Sequence, residues 1–336
     1  MSAAAHPRPL GWLVRWGLHL SVAVGLLGLV VWRAKLWELN QQFGDFAVWP
    51  AVGAALLNVP ALALMTFRGR FILGRLHHDV PFFSLLPISV LGNVAGSLTP
   101  ASTGDLVRTP FFKERHDIPY ADGLATVIYE RGFALLILSL STAAAAAWSA
   151  LPAGAAAGVT TGAIVLMAAT PTVAAFALQR MRHLLPTNEA DGGSGSTLRR
   201  TLGAIGRSLE SLLTLLRDPW ATVSVTLTNL VIFSIIATQM WFVLRALDID
   251  LSLAEAWTAL GASMLAAIAT FLPLGLGTMD ATLAAVVGAS GNSFSSGAAA
   301  ALLLRATITL PLGLLALGSY LYLIGGRRGR VAPEVT

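Results

Sequence analysis

Two arginines and three carboxylates of this chain lie in or beside strongly apolar stretches. Glu130 and Arg131 are neighbours in one stretch, and Arg305 lies in another. Asp105 and Asp280 belong to short polar tracts. A charge at the centre of a bilayer costs on the order of 2.5–3.5 kcal/mol, so such side chains normally face a bundle interior and bind partners. Because guanidinium groups stay charged and bind phosphate bidentately, the two arginines predict a phosphate site.

The pairing of these charges has several solutions. Glu130 and Arg131 point about 100° apart around a helix, so they do not share one partner face. We expect pairs that cross between two parts of the chain: Arg131 with Asp280 or Asp105, and Arg305 with Glu130 or Asp280. The alternative to a phosphate site is a set of structural ion pairs between helices.

The two polar tracts share a pattern of turn residues. In each tract a proline precedes a glycine by four residues, Pro100 with Gly104 and Pro273 with Gly277. An arginine follows the glycine after 27 residues in the first case and after 28 in the second. A broken apolar segment, a turn, an acidic residue and a long helix with one arginine therefore occur twice. Two residues beside the first turn either line a polar cavity or satisfy the local backbone: Asn93 and Ser102.

The elements that position these residues are membrane helices. The chain is 55 % hydrophobic and 12 % charged, with a mean hydropathy of +0.72, whereas soluble domains are about a quarter charged. Apolar runs that approach or exceed the ~20 residues needed to cross a hydrocarbon core cover 16–32, 46–67, 123–148, 155–178, 220–244 and 298–324. Shorter, broken runs cover 81–98 and 257–290. We predict an all-α, polytopic helical membrane protein.

Charge and residue usage narrow the partners. The net charge of +5 comes from basic residues scattered between the apolar runs, which favours lipid headgroups over nucleic acid. Because the chain has no cysteine, thiol chemistry and cysteine-ligated metals are excluded. We expect no bound metal and no other cofactor.

Lysine and arginine concentrate on the cytoplasmic side of a membrane. The basic residues of this chain cluster in both terminal segments and at 68–75, 108–115 and 180–217. Both termini are therefore predicted to be cytoplasmic in a multi-pass protein of the inner membrane. Residues 187–217 are predicted to be a cytoplasmic linker followed by an amphipathic helix, which lies on the leaflet or packs on the bundle.

The same rule gives the apolar segment 81–98 an unusual path. The flanking segments 68–80 and 105–120 both read as cytoplasmic, whereas a single crossing would place them on opposite sides. We predict that 81–98 enters and returns as a re-entrant hairpin, or forms two half-helices broken around Gly92–Gly96. A short helix ending at an interfacial loop is the alternative. Irregular backbone at membrane depth implies a cavity that satisfies its polar groups.

The two arginine-bearing units are predicted to be inverted repeats. The helix with Arg131 runs outward and the helix with Arg305 runs inward, so units at about 81–148 and about 256–324 point in opposite directions. Both lie in one membrane domain that covers 1–336. Inverted repeats with discontinuous helices are typical of secondary transporters, whose sites lie near the bilayer midplane.

The chain resembles the lysylphosphatidylglycerol synthase transmembrane (flippase-like) family, a group that includes the UPF0104 membrane proteins. The resemblance covers nearly the whole chain and is strongest at 92–132 and 270–311. The residues that fall on the pattern of this family are Asp105, Arg108, Glu130, Arg131, Asp280 and Arg305. The chain departs from the pattern at three positions. Ser102 stands where the family often has arginine, Leu274 replaces a glycine, and Ala134 occupies a position that is commonly acidic.

The resemblance implies a lipid translocase, or a membrane module that binds the same substrate. Its partner is expected to be an anionic phospholipid or a lipid-linked phosphate. Arg131 and Arg305 are expected to bind the phosphate, with Arg108 and the acidic residues beside them. The alternative is a membrane subunit of a lipid-modifying or glycosyl-transferring complex with a partner transferase. Since this sequence contains no soluble aminoacyl-transferase domain like that of some relatives, we expect the chain itself not to be an enzyme.

Overall fold

The structure is a computed structural model that describes residues 46–165 and 197–328, and every structural statement below refers to these residues. The side chains of residues 100–103, 197–205 and 325–328 lie outside this description. The helices in chain order are α1 (Val48–Leu56), α2 (Asn58–Arg75), α3 (Phe82–Leu98), α4 (Arg108–His116), α5 (Tyr120–Trp148), α6 (Ala153–Val165), α7 (Thr197–Arg217), α8 (Pro219–Ala246), α9 (Leu253–Thr270), α10 (Thr278–Ala289), α11 (Phe294–Leu304) and α12 (Leu310–Arg328).

The predicted all-α, polytopic membrane protein is confirmed. Among the described residues, five stretches are long and apolar enough to cross a membrane: α1 with α2, α5, α8, α9, and α11 with α12. Three predicted features lie wholly or partly outside the described residues: the apolar run at 16–32, the second half of the run at 155–178, and the linker at 187–196.

Helices α3 and α4 form an antiparallel hairpin, hairpin 1 (residues 82–116). The chain leaves α3 at Thr99, follows a 3-10 turn over Pro100–Val107 and returns as α4. At the open end of the hairpin, Ser84 Oγ lies 3.1 Å from His116 Nε2. The chain therefore returns to the end of the bundle at which it entered.

The reversal lies beyond the position that the sequence predicted. The predicted break around Gly92–Gly96 is wrong, because α3 is continuous there. Gly92 packs against the side chain of Arg108, and a β-carbon at Gly96 would lie 2.9 Å from Asp105 Cγ. These glycines therefore allow the two limbs of the hairpin to pack closely, and they do not bend the helix.

Helices α9 and α10 form a second hairpin, hairpin 2 (residues 253–289). Its tip contains the 3-10 turn Pro273–Gly275, in which Leu274 has a left-handed backbone with φ 55°. The hydroxyl oxygens of Thr270 and Thr278 lie 3.0 Å apart across the tip. The apolar run predicted to be broken at 257–290 is therefore two antiparallel helices.

A long helix follows each hairpin after a short loop. The first is α5, which begins at Tyr120, and the second begins at Phe294 and continues through the π-helical turn Arg305–Thr309 into α12. Arg131 and Arg305 are each the twelfth residue of their helix, about 16 Å from its start at 1.5 Å per residue. For helices that start at the interface, this corresponds to the middle of a core about 30 Å thick.

The correspondence between two parts of the chain extends beyond the two units that the sequence predicted. The stretches Val48–Arg75 and Pro219–Ala246 each have 28 residues, and one shift of 171 residues relates both their starts and their ends. The same shift relates the first residues of α3 and α9. Half 1 (residues 48–148) and half 2 (residues 219–324) therefore each consist of a 28-residue helical stretch, a hairpin and a long helix.

The two halves pack against each other reciprocally. Helix α5 of half 1 contacts α9 of half 2, and α12 of half 2 contacts α3 of half 1. Gly261 of α9 packs against Thr142 of α5. The residues at the corresponding positions of the other half are Val90 of α3 and Ala316 of α12, counted from the first residue of each hairpin and of each long helix, and they belong to one buried cluster. Each hairpin turn also contacts the first helix of the other hairpin. Each half therefore presents the same kinds of element to the other half.

Helix α7 packs on the bundle. Leu212 and Leu215 lie in a cluster with Tyr129 of α5, and Leu215 is fully buried. The Ser211 hydroxyl also donates a hydrogen bond to Asp122 Oδ1 at 2.6 Å. Of the two predicted positions for this helix, its described side chains occupy the one against the bundle.

Candidate functional site

Each half brings its own aspartate and arginine together. Asp105 pairs with Arg131 in half 1, and Asp280 pairs with Arg305 in half 2. Both pairs are among the alternatives that the sequence left open, but neither crosses between the halves, although the sequence predicted that both would. Each hairpin turn places its aspartate against the long helix that follows it, so the nearest arginine belongs to the same half. Glu130 likewise binds other arginines and not Arg305.

The pair in half 2 is bidentate. Arg305 donates from Nε to Asp280 Oδ1 at 3.0 Å and from Nη2 to Oδ2 at 2.8 Å. Arg305 Nη2 also lies 3.5 Å from the carbonyl oxygen of Leu274. The backbone N–H of Gly277 donates to Asp280 Oδ2 at 3.0 Å. The carboxylate therefore holds both the guanidinium and the start of α10.

The pair in half 1 is more accessible. Arg131 Nε contacts the carboxylate of Asp105, whose side chain is buried. The Arg131 side chain is 41 % exposed, compared with 20 % for Arg305. Beside it, a β-carbon on Gly132 would meet no atom within 4 Å. Of the arginines in the site, Arg131 therefore offers its guanidinium to a ligand most openly.

Half 1 contains a second buried ion pair, which half 2 lacks. Arg108 Nη2 donates to Glu130 Oε2 at 2.6 Å, and both side chains are buried. Counted from the Asp–Arg pair of each half, the corresponding residues of half 2 are Leu283 and Leu304, which are buried and apolar. Half 1 therefore has one buried ion pair more than half 2.

Arg68 belongs to the site, although the basic residues around it predicted a cytoplasmic segment. That prediction is wrong for Arg68, because α2 continues to Arg75 and the Arg68 side chain is buried, with 11 % of it exposed. Arg68 Nε lies 3.6 Å from Glu130 Oε1, and Nη1 donates to Asn229 Oδ1 of α8 at 2.5 Å. The signal that could have identified it is the apolar sequence on both sides, MTF before it and FIL after Arg70.

The contact between Arg68 and Asn229 has a counterpart at the 171-residue shift. The counterparts are Gln239 and Asn58, and Gln239 Nε2 donates to Asn58 Oδ1 at 3.1 Å. Asn58 Nδ2 in turn donates to the carbonyl oxygen of Thr307, in the π-helical turn of the second long helix, at 3.1 Å. A polar contact therefore joins α2 to α8 at both of these positions, but only the contact made by Arg68 includes a charged group.

The predicted turn residues lie in the two hairpin turns. Pro100 and Pro273 each begin a 3-10 turn. Gly104 packs directly on the backbone of α3, where a β-carbon would overlap a carbonyl group. Gly277 has φ 80°, a conformation that side chains other than glycine rarely adopt.

Two predicted residues remain outside the charged cluster. Asn93 is half-buried on α3, and the structure describes no contact between its side chain and the arginines. Its carbonyl oxygen accepts a hydrogen bond from the Ser97 hydroxyl at 3.1 Å. The side chain of Ser102 lies outside the described residues.

The arrangement is suited to an anion. The site of half 1 brings three guanidinium groups and two carboxylates together, and the site of half 2 has one of each. The cluster of half 1 therefore carries a net charge of +1 at neutral pH, whereas the pair of half 2 is neutral. Among the described residues, no three histidine, aspartate or glutamate side chains lie close enough to hold a metal ion.

One family model matches most of the chain. A family model described as the lysylphosphatidylglycerol synthase transmembrane region matches residues 16–316. The match includes both hairpins and all seven charged residues of the ion pairs: Arg68, Asp105, Arg108, Glu130, Arg131, Asp280 and Arg305. No protein with a curated function matches the chain.

Proposed function

Because the chain belongs to the lysylphosphatidylglycerol synthase transmembrane family, we propose that it is a lipid translocase that binds the phosphate of a lipid headgroup. One observation carries the proposal. Each of two reciprocally packed halves holds an arginine at the twelfth residue of its long helix, against an aspartate of its hairpin. Guanidinium groups at that depth fit the phosphate of a headgroup on its way between the leaflets.

The aspartates have a role in this mechanism. A buried guanidinium needs a partner charge at membrane depth, and the carboxylates of Asp105 and Asp280 supply it while no ligand is bound. An entering phosphate replaces the carboxylate as the hydrogen-bond acceptor, so the arginine keeps a partner in both states. Rocking of the two halves about their shared interface then opens the site to one leaflet or the other, as in transporters built from inverted repeats. The orientation in this proposal has both termini on the cytoplasmic side of the inner membrane.

The test is leaflet exchange of fluorescent phosphatidylglycerol in proteoliposomes that contain Arg131→Gln or Arg305→Gln. Glutamine keeps a hydrogen-bond donor for the buried aspartate, and thermal unfolding in detergent checks that each variant is folded. Each variant should lower the exchange rate about tenfold or more, because it loses a charge-assisted hydrogen bond to phosphate. The matched control is Arg245→Gln, since Arg245 is 42 % exposed and forms one ion pair, with Asp250. Unchanged exchange in both test variants would overturn the proposal.

The name of the family favours a second function. Its model describes part of a synthase, so the chain would be the membrane subunit of a lipid-modifying or glycosyl-transferring complex. Purification in mild detergent, followed by mass spectrometry of the bound proteins, distinguishes the two functions. A transferase recovered in equal amount, together with no leaflet exchange by the isolated chain, would favour the subunit.

A further inference from the structure

The charge difference between the two halves can be assigned to one residue. The Asp–Arg pairs are neutral in both halves, and Arg108 and Glu130 neutralise each other in half 1. The remaining difference is Arg68, whose counterpart in half 2 is the neutral Gln239. Arg68 is therefore the surplus positive charge of the cluster.

The surplus charge of Arg68 is poorly compensated by the protein. Its hydrogen bond goes to the neutral amide of Asn229. The nearest carboxylate, Glu130, is 3.6 Å away and already binds Arg108 at 2.6 Å. Arg68 Nε, Arg108 Nε and Glu130 Oε1 have no hydrogen-bond partner among the described residues. A buried charge without a full partner is strongly unfavourable, and an anion bound nearby would relieve this.

We propose that Arg68 is a specificity-determining residue, which makes the site select an anionic lipid headgroup over a zwitterionic one. The inference rests on the proposed function, because it takes Arg131 as the residue that contacts the phosphate. Arg68 lies behind Glu130 and acts through its charge. A phosphodiester of an uncharged alcohol brings one negative charge and neutralises the cluster. A headgroup with both a phosphate and an ammonium group brings no net charge and leaves the cluster at +1.

The size of the effect follows from the distance over which the charge acts. At an effective dielectric constant of about 20, one unit charge at about 10 Å changes the affinity for an anion roughly tenfold. The change applies to an anionic headgroup and not to a zwitterionic one. The ratio of the two lipids retained therefore measures the contribution of Arg68 directly.

The experiment uses vesicles of equimolar phosphatidylglycerol and phosphatidylcholine. The full chain is incorporated into them, re-extracted in detergent and analysed for retained lipid by mass spectrometry. The variants are Arg68→Gln, which reproduces the residue of half 2, and Arg68→Lys, which keeps the charge. Because Gln239 already donates to Asn58 in half 2, glutamine at position 68 is expected to keep the contact with α8. Arg70→Gln is the control, since Arg70 lies on the same helix but is 45 % exposed.

We expect wild type, Arg68→Lys and Arg70→Gln to retain more phosphatidylglycerol than phosphatidylcholine. Arg68→Gln should lower its ratio to phosphatidylcholine about tenfold. An unchanged ratio in Arg68→Gln would overturn the inference, as would the same loss in Arg68→Lys, because the charge would then not be the cause. If wild type itself retains the two lipids equally and Arg131→Gln changes nothing, the proposed function fails first.

Discussion

In both halves the fourth residue of the long helix is a glycine that lets the returning hairpin helix pack closely. Gly123 packs against Thr109 and Gly297 packs against Ala284, and each partner lies four residues after the aspartate of its half. The positions of the aspartate, glycine and arginine thus agree between the halves to within one residue. This close agreement in backbone and packing makes half 2 an internal reference for the charged residues of half 1.

The two halves differ in their charged residues, although their packing is the same. Half 2 builds the same hairpin and long helix with Leu283 and Leu304 in place of Arg108 and Glu130. Buried ion pairs can often be replaced by apolar side chains at no loss of stability. The fold therefore does not require the second ion pair of half 1, which points to a role in the site. Three predictions test this comparison.

The largest expected effect is that of Glu130→Ala. The substitution leaves the buried guanidinium of Arg108 and that of Arg68 without their carboxylate. Removal of one partner from a buried ion pair costs about 3–5 kcal/mol of the free energy of unfolding. The measurement is thermal unfolding of the purified protein in detergent.

The control for this prediction transfers the residues of half 2 into half 1. The triple variant Arg68→Gln, Arg108→Leu, Glu130→Leu removes the three charges together and leaves no buried charge unpaired. Its stability should lie within about 1 kcal/mol of wild type. A triple variant as unstable as Glu130→Ala would show that the architecture of half 1 depends on these charges, and would contradict the prediction.

The next prediction concerns the glycines that the halves have in common. A β-carbon at Gly297 would lie 2.6 Å from Ala284 Cα, whereas one at Gly123 would lie 2.9 Å from Thr109 Cγ2. Because backbone yields less than a side-chain methyl group, Gly297→Ala should cost about 1–3 kcal/mol and Gly123→Ala less. Gly313→Ala, where a β-carbon meets no atom within 4 Å, is the control and should be neutral or slightly stabilising. Equal losses at the two glycines would contradict the described packing.

Local properties of the sequence account for the parts of the fold that could be predicted. The length of the apolar runs gives the helices, and the two prolines with their glycines give the hairpin turns. The equal spacing from turn to arginine gives the order of hairpin and long helix in both parts of the chain. Each of these signals is carried by residues close together in the chain, so no tertiary contact is needed to read them.

The rest depends on contacts between distant segments. Arg68, Arg70 and Arg75 form one basic group in the sequence, and the positive-inside rule treats such a group as a whole. Only the packing of α2 against α8 shows that Arg68 faces Asn229 while Arg70 is exposed. The 171-residue shift could not be found from the sequence for the same reason. It relates the ends of helices, and few of the residues that it relates are alike.

The smallest expected effect concerns the turn of hairpin 2, where half 2 carries backbone strain. Leu274 has φ 55° and ψ 10°, a left-handed conformation that is about 1–2 kcal/mol less favourable for a residue with a β-carbon. Leu274→Gly should therefore raise the free energy of unfolding by about 0.5–1 kcal/mol, and its carbonyl oxygen remains beside Arg305. Leu276→Gly is the control, since Leu276 has φ −53° and glycine there only adds freedom to the unfolded chain. Thermal unfolding in detergent compares the two variants, and a loss of stability in Leu274→Gly would show that the leucine side chain, and not the backbone, fixes this turn.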